Sequence, residues 1–303
     1  MSSNLFNAGH TACAGCGQSM AARLVIEASG QNTVVVNNTG CLEVFSTAYP
    51  QTAWGVPWIH SLFENAAAVA SGVEAGLIYS GKKEGTNVIA QGGDGSTADI
   101  GLQALSGMLE RGHDILYVCY DNEAYMNTGV QRSGLTPFDT NTTTSPVGVK
   151  STGNIRPKKP MPEIANAHGI AYVATASAGF PQDLQRKVKK AMSLKGPKYI
   201  QVHVPCPLGW RHEPAQTVNV AKLAVDTGLY PLIEYENGKL IGVRQIQPKP
   251  VEEYIKVQGR FKHLTNNPEE IKKIQEIADH NIEKYGLRVK TETAADVKSD
   301  TRP

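Results

Sequence analysis

Short apolar runs rich in Val and Ile alternate along this chain with segments that have the apolar spacing of helices. The strand-like runs are 33–36, 87–90, 115–120, 171–174 and 198–204. The helix-like segments are 61–79, 98–111, 161–168 and 181–194. Continuous apolar strands that alternate with helices are typical of a parallel sheet covered on both faces. The sequence therefore predicts an α/β fold, with a mostly parallel sheet and helices on both faces.

The pattern changes after Pro207. A hairpin with polar faces is predicted over 230–245, around N-G-K, and an amphipathic helix over 268–285. We therefore predict a core domain over 1–209 and a C-terminal arm for subunit contacts over 210–303. The last residues, T-E-T-A-A-D-V-K-S-D-T-R-P, are expected to be disordered.

One connection inside the predicted core, 129–160, lacks apolar periodicity and holds T-N-T-T-T-S-P and K-K-P. It is longer than ordinary loops, and loops of this length are usually functional or disordered. We expect one or the other here.

Charge and hydropathy exclude several classes of protein. The net charge is +2 over 303 residues, so the charge gives no indication that the protein binds nucleic acid or an anionic membrane surface. No apolar run reaches the roughly 20 residues of a membrane span, and the first residues, M-S-S-N-L-F-N-A-G-H, have neither the basic flank nor the apolar core of a signal peptide. We expect a cytoplasmic protein, in which cysteines are more often metal ligands, catalytic groups or core residues than disulfides. Cys119, inside I-L-Y-V-C-Y, is interpreted as a buried strand thiol.

A glycine-rich turn, G-G-D-G-S, follows the apolar run 87–90 and precedes a helical segment. Ligands of open α/β sheets bind at the carboxyl ends of strands, where Asp94 is predicted to lie. Glycines let a diphosphate approach the backbone, but an aspartate beside phosphate requires a cation, and Mg²⁺ suits these oxygen ligands. A second apolar strand ends at Asp121 and Asn122, so both strand ends can meet at one crevice.

A G-D-G turn followed at this spacing by an Asn after an apolar strand resembles the thiamine-diphosphate motif. The resemblance implies that Asp94, Asn122 and the carbonyl of Ala124 hold Mg²⁺. The residues predicted to bind the cofactor are Gly93, Asp94, Gly95, Ser96, Asn122, Asn127, Thr128 and Gly129. The alternative is a structural turn followed by an unrelated Asn.

Four other cysteines form a second candidate site. Cys13 and Cys16 have the Cys-x₂-Cys spacing of metal ligands, and Cys41 and Cys206 lie in T-G-C-L-E-V and V-P-C-P-L-G-W. Four thiolates without histidine suit either tetrahedral zinc or a [4Fe–4S] cluster. The neighbouring thiamine-diphosphate signature favours the cluster, because zinc gives that cofactor no route for electrons.

Together, five motifs resemble the beta subunits of the pyruvate:ferredoxin oxidoreductases (pyruvate synthases), over about residues 1–260. The motifs are G-H-T-A-C-A-G-C-G, W-I-H-S-L-F-E-N-A-A-A-V-A-S-G, G-G-D-G-S-T-A-D-I-G, Y-D-N-E-A-Y-M-N-T-G and P-C-P-L-G-W. The resemblance implies a diphosphate-binding module with a [4Fe–4S] cluster on Cys13, Cys16, Cys41 and Cys206. It also places Asn127 near the thiamine and the substrate, as the catalytic residue.

The family reaction is the reversible oxidative decarboxylation of a 2-oxoacid. Electrons pass through the cluster to ferredoxin, and coenzyme A takes the acyl group. Thiamine activation also needs a pyrimidine-binding Glu, which the resemblance assigns to an alpha subunit. Glu64 of S-L-F-E-N is an alternative for that role, but it begins a predicted helix of this module, so we interpret it as structural or as a support for the residues that bind the cofactor. Gamma and delta subunits are implied as well, the delta subunit being ferredoxin-like.

Pyruvate is the predicted substrate of this chemistry. The alternatives are 2-oxoglutarate, a branched-chain 2-oxoacid, indolepyruvate or oxalate. A different class of protein, a zinc-stabilised binding module without catalytic activity, stays open as the remaining alternative.

Overall fold

An eight-stranded sheet forms the centre of the computed structural model, which describes residues 4–289. Its strand order is β2-β1-β3-β4-β6-β5-β7-β8. The strands are β1 Thr33–Asn37, β2 Trp58–His60, β3 Asn87–Gly93, β4 Leu116–Asp121, β5 Tyr172–Ser177, β6 Lys198–His203, β7 Ile233–Glu236 and β8 Lys239–Val243. The first six in this order pair in parallel, and β7 and β8 pair antiparallel at the edge beyond β5.

Helices cover both faces of this sheet. The α-helices are α1 Gly17–Ser29, α2 Cys41–Ser46, α3 Ala66–Tyr79, α4 Asp94–Ala98, α5 Leu102–Glu110, α6 Met161–Asn166, α7 Pro181–Ser193, α8 Pro207–Trp210, α9 Thr217–Asp226, α10 Glu252–Ile255 and α11 Pro268–Tyr285. Two 3₁₀-helices span Pro214–Gln216 and Gly259–Leu264. None of the described helices is both long and apolar enough to cross a membrane.

Alternate residues of the central strands pack into separate cores. On β4, Leu116, Val118 and Tyr120 join the core under α1, α2 and α7, whereas Tyr117 and Cys119 join the core under α3, α5 and α6. This division follows from the two-residue period of a strand, because successive side chains point to opposite faces. The predicted α/β fold with helices on both faces is confirmed.

Two of the predicted helices differ from those observed. The segment predicted over 61–79 becomes helical only at Ala66. The segment predicted over 98–111 is divided into α4 and α5 at Gly101, where a Cβ atom would lie 2.0 Å from the Ser96 carbonyl oxygen. Only glycine allows this approach of two backbone segments, so the chain turns here and α4 ends one turn after the G-D-G motif.

The C-terminal segment adds to the sheet and forms a third core. The predicted hairpin is present as β7 and β8, and β7 pairs with β5, so it extends the main sheet. The predicted amphipathic helix is α11, which buries Ile274, Ala278 and Ile282 in the third core, to which α9 and the 3₁₀-helix Gly259–Leu264 also contribute. The boundary at residue 209 and the role of 210–303 in subunit contacts stay predictions.

The long connection between β4 and α6 contains no helix or strand. It returns to the carboxyl end of the sheet, where Ser133 contacts Asp94 and Lys158 contacts Asp121. The segment 291–303, predicted to be disordered, lies outside the described residues.

Candidate functional site

Four neighbouring strands end at the same edge of the sheet, and each leads into a residue of the predicted sites. In the spatial order β1, β3, β4, β6, the strands are followed by Cys41, Asp94, Asn122 and Cys206. The register aligns Gly93 of β3 with Tyr120 of β4, so the next residues of both strands lie side by side. Parallel pairing thus gathers residues that are far apart in sequence.

Asp94, Asn122 and Ala124 form a small polar cradle at this edge. Asp94 is the first residue of α4 and is buried, and the Ser133 hydroxyl donates to its Oδ2. One end of the Asn122 amide lies 2.9 Å from the Ala124 carbonyl oxygen and 2.9 Å from Asp94 Oδ1. The Asp94 carboxylate, the Asn122 amide and the Ala124 carbonyl therefore lie next to one another.

The chemistry of this cradle depends on which end of the Asn122 amide, the oxygen or the NH₂ group, faces Asp94 and Ala124. With the NH₂ group inward, the amide donates to both neighbours. With the oxygen inward, three oxygens converge, an arrangement that repels unless a cation lies among them. Carboxylate, amide and carbonyl oxygens are ligands that Mg²⁺ accepts, and neighbouring ligands of an octahedral Mg²⁺ stand about 2.9 Å apart. The donor set and its spacing fit Mg²⁺.

The charge of Asp94 also favours a cation. Burial, together with the nearby Asp121 carboxylate, raises the pKa of Asp94 well above its ordinary value, although the Ser133 hydroxyl opposes the shift. A divalent cation would remove this penalty, because it stabilises the ionised carboxylate directly.

A cavity of about 230 Å³ opens beside the cradle. Seven of the eight predicted cofactor-binding residues line it: Gly93, Asp94, Gly95, Ser96, Asn122, Asn127 and Thr128. Gly129 does not line it; its N–H donates to the Met126 carbonyl, which closes the following turn. Gly95 is required by packing, because a Cβ atom there would lie 2.3 Å from the Tyr125 ring.

The four predicted cluster cysteines line a second cavity, of about 170 Å³. Cys16 immediately precedes α1, Cys41 is the first residue of α2, and Cys206 immediately precedes α8. The Gly209 N–H donates to Cys206 Sγ at 3.4 Å, and the backbone N–H groups of Gln18 and Ser19 face Cys16. Helix N-termini and N–H donors favour negative charge on sulfur.

Gly17 allows the N-terminus of α1 to lie close to the N-terminus of α8. The Gly17 N–H donates to the Pro205 carbonyl oxygen at 3.2 Å, and a Cβ atom on Gly17 would lie 2.8 Å from that oxygen. Because glycine stands here, Cys16 and Cys206 line the same cavity although they lie far apart in the sequence.

Ionisation of the Cys41 and Cys206 thiols is unfavourable in the absence of a bound cation. Burial, together with the neighbouring cysteines, raises the pKa of Cys41 to about 12 and that of Cys206 to about 11. Residues 4–289 contain no group of three or more His, Cys, Asp or Glu side chains that could hold a single metal ion. The four cysteines instead line one cavity together, and four cysteine sulfurs are a donor set that both zinc and iron–sulfur clusters accept. Their number and type also fit a [4Fe–4S] cluster.

The two cavities share part of their lining. Gln18, Cys41, Asn122 and Asn127 belong to both. Gln18 is buried, and its Oε1 has no hydrogen-bond partner among the described residues. The candidate diphosphate site and the candidate cluster site are therefore adjacent.

Two residues that the sequence singled out lie outside these cavities. Cys119 is a buried thiol of β4, and burial raises its pKa well above the ordinary value, as expected of an inert core cysteine. Glu64 does not line the diphosphate cavity, and no glutamate is among the described residues that do.

Several contact residues could not be found from the sequence. Ser133 lies in the long connection between β4 and α6, and the sequence of that connection does not indicate that its hydroxyl contacts Asp94. Tyr125 lies inside the motif Y-D-N-E-A-Y-M-N-T-G, and Gln18 directly follows G-H-T-A-C-A-G-C-G, so their positions in the motifs are the only signal for them. Thr39, Gly40 and Phe63 also line the diphosphate cavity.

Comparison with known proteins gives matches along most of the chain. Residues 38–202 match the thiamine pyrophosphate enzyme, C-terminal TPP binding domain. Pyruvate synthase subunit PorB of Methanosarcina barkeri is 59% identical over 284 residues, 92% of this chain and 96% of that protein. Ketoisovalerate oxidoreductase subunit VorB of Pyrococcus abyssi is 48% identical and covers 88% of each chain.

A solved structure also resembles the fold. It is the 2-oxoglutarate:ferredoxin oxidoreductase from Magnetococcus marinus with 2-oxoglutarate, coenzyme A and succinyl-CoA bound. The TM-score is 0.56 at 20% identity, and the match covers 97% of this chain and 93% of that one. This similarity concerns the fold alone.

Proposed function

This chain belongs to the family of pyruvate synthase PorB subunits, thiamine-diphosphate-dependent 2-oxoacid:ferredoxin oxidoreductases, and from that premise we propose its reaction and its sites. The reaction is pyruvate, coenzyme A and oxidised ferredoxin going reversibly to acetyl-CoA, CO₂ and reduced ferredoxin. The chain binds Mg²⁺–thiamine diphosphate and the [4Fe–4S] cluster nearest to it. The observation that carries this proposal is the lining shared by the two cavities.

Asp94, Asn122 and the Ala124 carbonyl hold Mg²⁺ and, through it, the diphosphate. Support comes from the 2.9 Å contacts of the Asn122 amide and from the burial of Asp94. The backbone of Gly93, Gly95 and Ser96 borders the diphosphate. Once bound, thiamine supplies the electron sink that decarboxylation of a 2-oxoacid requires.

Cys13, Cys16, Cys41 and Cys206 hold the cluster, which accepts single electrons. Asn127 lies between the two groups, since it lines both cavities, and orients the substrate there. Its side-chain amide offers one acceptor and two donors for this task.

The active site is completed by other subunits. Because no described residue of the diphosphate cavity is a glutamate, an alpha subunit supplies the Glu that activates the pyrimidine. Gamma and delta subunits complete the assembly, and the ferredoxin-like delta subunit carries electrons onward to ferredoxin. We place the assembly in the cytoplasm.

The test is anaerobic ferredoxin reduction by the purified complex, with coenzyme A and one 2-oxoacid at a time. We expect pyruvate to give the highest kcat/KM, ahead of 2-oxoglutarate, indolepyruvate and oxalate. A complex that is colourless, binds zinc and reduces no ferredoxin with any of these acids would instead support a zinc-stabilised binding module.

A branched-chain 2-oxoacid is the second candidate substrate. The reason is the 48% identity to a relative named ketoisovalerate oxidoreductase subunit VorB. In the same assay, 2-oxoisovalerate turnover above that of pyruvate would favour this candidate.

A further inference from the structure

Glu123 stands between the two residues proposed to hold Mg²⁺ at the end of β4. It is buried and has a left-handed backbone, with φ 68°. Such a conformation is unfavourable for a residue with a Cβ atom, and it persists only where the surroundings hold it. What holds Glu123 therefore also decides where Asn122 and Ala124 face.

The backbone carbonyls of this turn are engaged one after another. The Asp121 carbonyl accepts from the Val204 N–H at 3.0 Å, the Asn122 carbonyl from Trp210 Nε1 at 2.8 Å, and the Glu123 carbonyl from Thr136 Oγ1 at 2.7 Å. The carbonyl of Ala124 is the one that faces the Asn122 amide in the cradle. Hydrogen bonds thus hold the first three carbonyls of the turn, and the carbonyl of Ala124 faces the proposed cation site.

The Glu123 carboxylate is clamped by two cations from distant parts of the chain. Lys158 Nζ lies 2.7 Å from Oε1, and Arg260 Nη2 lies 2.6 Å from Oε2. Lys158 also contacts Asp121 Oδ2 at 2.8 Å, so one ammonium joins two residues of the turn. Both partners of the Arg260 pair are nearly inaccessible to solvent.

Arg260 is itself held in place within the C-terminal segment. Its Nε donates to Gln258 Oε1 at 2.9 Å, its Nη2 donates to the Tyr254 hydroxyl at 3.1 Å, and its guanidinium lies 3.7 Å from the centre of the Trp210 ring. The position of the Arg260 guanidinium beside Glu123 therefore depends on the packing of the C-terminal segment.

Glu123 and Lys158 also line a separate cavity of about 600 Å³, together with His203, Tyr230 and Tyr254. The His203 ring is the third neighbour of the carboxylate, with Nε2 3.6 Å from Oε1. The shortest contacts of the carboxylate are those with Lys158 and Arg260.

We propose that Glu123, clamped by Lys158 and Arg260, is a positioning residue for the Mg²⁺–thiamine diphosphate site. It holds the left-handed turn in which Asn122 and Ala124 face Asp94. Through Arg260, the C-terminal segment takes part in cofactor binding. This inference rests on the proposed function, because it concerns the proposed cation site.

The experiment measures the Mg²⁺ requirement of cofactor binding in the full-length chain, purified with the subunits it assembles with. Mg²⁺ is titrated at fixed thiamine diphosphate, and binding is followed by tryptophan fluorescence. We expect Glu123→Gln and Arg260→Met each to raise the half-saturating Mg²⁺ concentration by about tenfold or more, a change that corresponds to a loss of 1.4 kcal/mol. Excess Mg²⁺ should restore binding, and the iron content should be that of the native chain.

Two further variants separate positioning from folding and strain. Arg260→Lys keeps the charge and should raise the Mg²⁺ requirement less than Arg260→Met. Glu123→Gly relieves the left-handed strain but removes the clamp, so it should bind Mg²⁺ as poorly as Glu123→Gln. The matched control is Arg186→Gln, which breaks an ion pair with Glu234 at the far edge of the sheet and should leave the Mg²⁺ requirement unchanged.

The outcomes distinguish this inference from the proposed function. If Glu123→Gln and Arg260→Met lower the unfolding temperature but leave the Mg²⁺ requirement unchanged, the network is only structural and the inference is wrong. Normal Mg²⁺ binding by Glu123→Gly would likewise overturn it. Failure of the native complex to bind thiamine diphosphate would overturn the proposed function itself.

Discussion

At the scale of single residues, Asp94 is engaged at both of its carboxylate oxygens. Its carboxylate is buried, a hydroxyl donates to one oxygen, and the Asn122 amide faces the other. Removing it leaves the proposed cation without its anionic ligand, while the cysteine cavity keeps its own lining. The effects on the two sites can therefore be separated.

We predict that Asp94→Ala weakens thiamine-diphosphate binding by about 10- to 150-fold, because an interaction with a charged group is worth about 1.5–3 kcal/mol. The visible absorption of the cluster should stay close to that of the native chain. Binding is measured by calorimetry at saturating Mg²⁺, with Asp226→Ala, which removes a half-buried ion-pair residue of α9, as the control. Near-normal affinity in Asp94→Ala would show that the diphosphate binds elsewhere.

The cysteines divide by environment, and this gives the second prediction. Cys16 lines the four-thiol cavity, whereas Cys119 is enclosed in β4. Anaerobically purified Cys119→Ser should contain the native amount of iron, and Cys16→Ser should lose most of it. Iron analysis with absorption spectra is the measurement; full iron in Cys16→Ser, or its loss in Cys119→Ser, would contradict the assignment.

At the scale of elements, the short helix α4 packs so closely against the Tyr125 ring that position 95 has no room for a side chain. It begins at Asp94, and the Tyr125 ring packs against Gly95 while its hydroxyl donates to Asp99 Oδ2 at 3.0 Å. Helix propensity favours alanine over glycine by about 1 kcal/mol. Packing against the Tyr125 ring opposes that preference here.

We predict that Gly95→Ala lowers the unfolding temperature and weakens thiamine-diphosphate binding, because the added Cβ atom displaces the Tyr125 ring from the cavity wall. Gly76→Ala in α3 is the matched control, since no atom outside the helix lies within 4 Å of its Cβ position, and it should be neutral or slightly stabilising. Thermal unfolding and cofactor titration test both variants; equal behaviour would mean that the Tyr125 contact is not limiting.

The edge strand β7 gives a pH-dependent prediction. Burial alone would raise the pKa of Glu234, but hydrogen bonds from Arg186 and Tyr172 hold it below its ordinary value of 4.5. A group whose pKa is lowered by folding stabilises the protein above its unfolded pKa and loses that effect as pH falls through the folded value.

Glu234→Gln should therefore lower the free energy of unfolding by about 1–2 kcal/mol at pH 7. The difference from the native chain should shrink as the pH falls below about 4.5. Chemical unfolding at several pH values measures it. A difference that is constant with pH would show that the charge of Glu234 does not stabilise the attachment of β7 to β5.

At the scale of the whole molecule, the two candidate sites are adjacent, and we propose that other subunits complete the catalytic apparatus. The described residues of the diphosphate cavity include no glutamate that could activate the pyrimidine. The remaining cysteine, Cys119, is buried in the sheet and cannot extend an electron path outward.

We predict that the chain alone, supplied with thiamine diphosphate, Mg²⁺, coenzyme A, pyruvate and ferredoxin, shows no turnover, and that activity appears when its partner subunits are added. Ferredoxin reduction under anaerobic conditions is the measurement. Robust turnover by the isolated chain would mean that the activating carboxylate belongs to this chain after all.

The sequence by itself determined the alternation of strands and helices, because the apolar period of each element can be read locally. It also determined which residue types could hold Mg²⁺ or a cluster, since spacing within a turn fixes motifs such as G-D-G and Cys-x₂-Cys. Predicted element ends were less accurate where packing decides them, as at Ser61 and Gly101.

Only the tertiary structure decided which distant residues meet. The strand order β1-β3-β4-β6 gathers Cys41, Asp94, Asn122 and Cys206 at one edge, and no local pattern specifies that order. The hydroxyl of Ser133 and the guanidinium of Arg260 reach the site from segments whose own sequences carry no motif for it. Such contacts depend on long-range packing, which a local pattern of residues does not record.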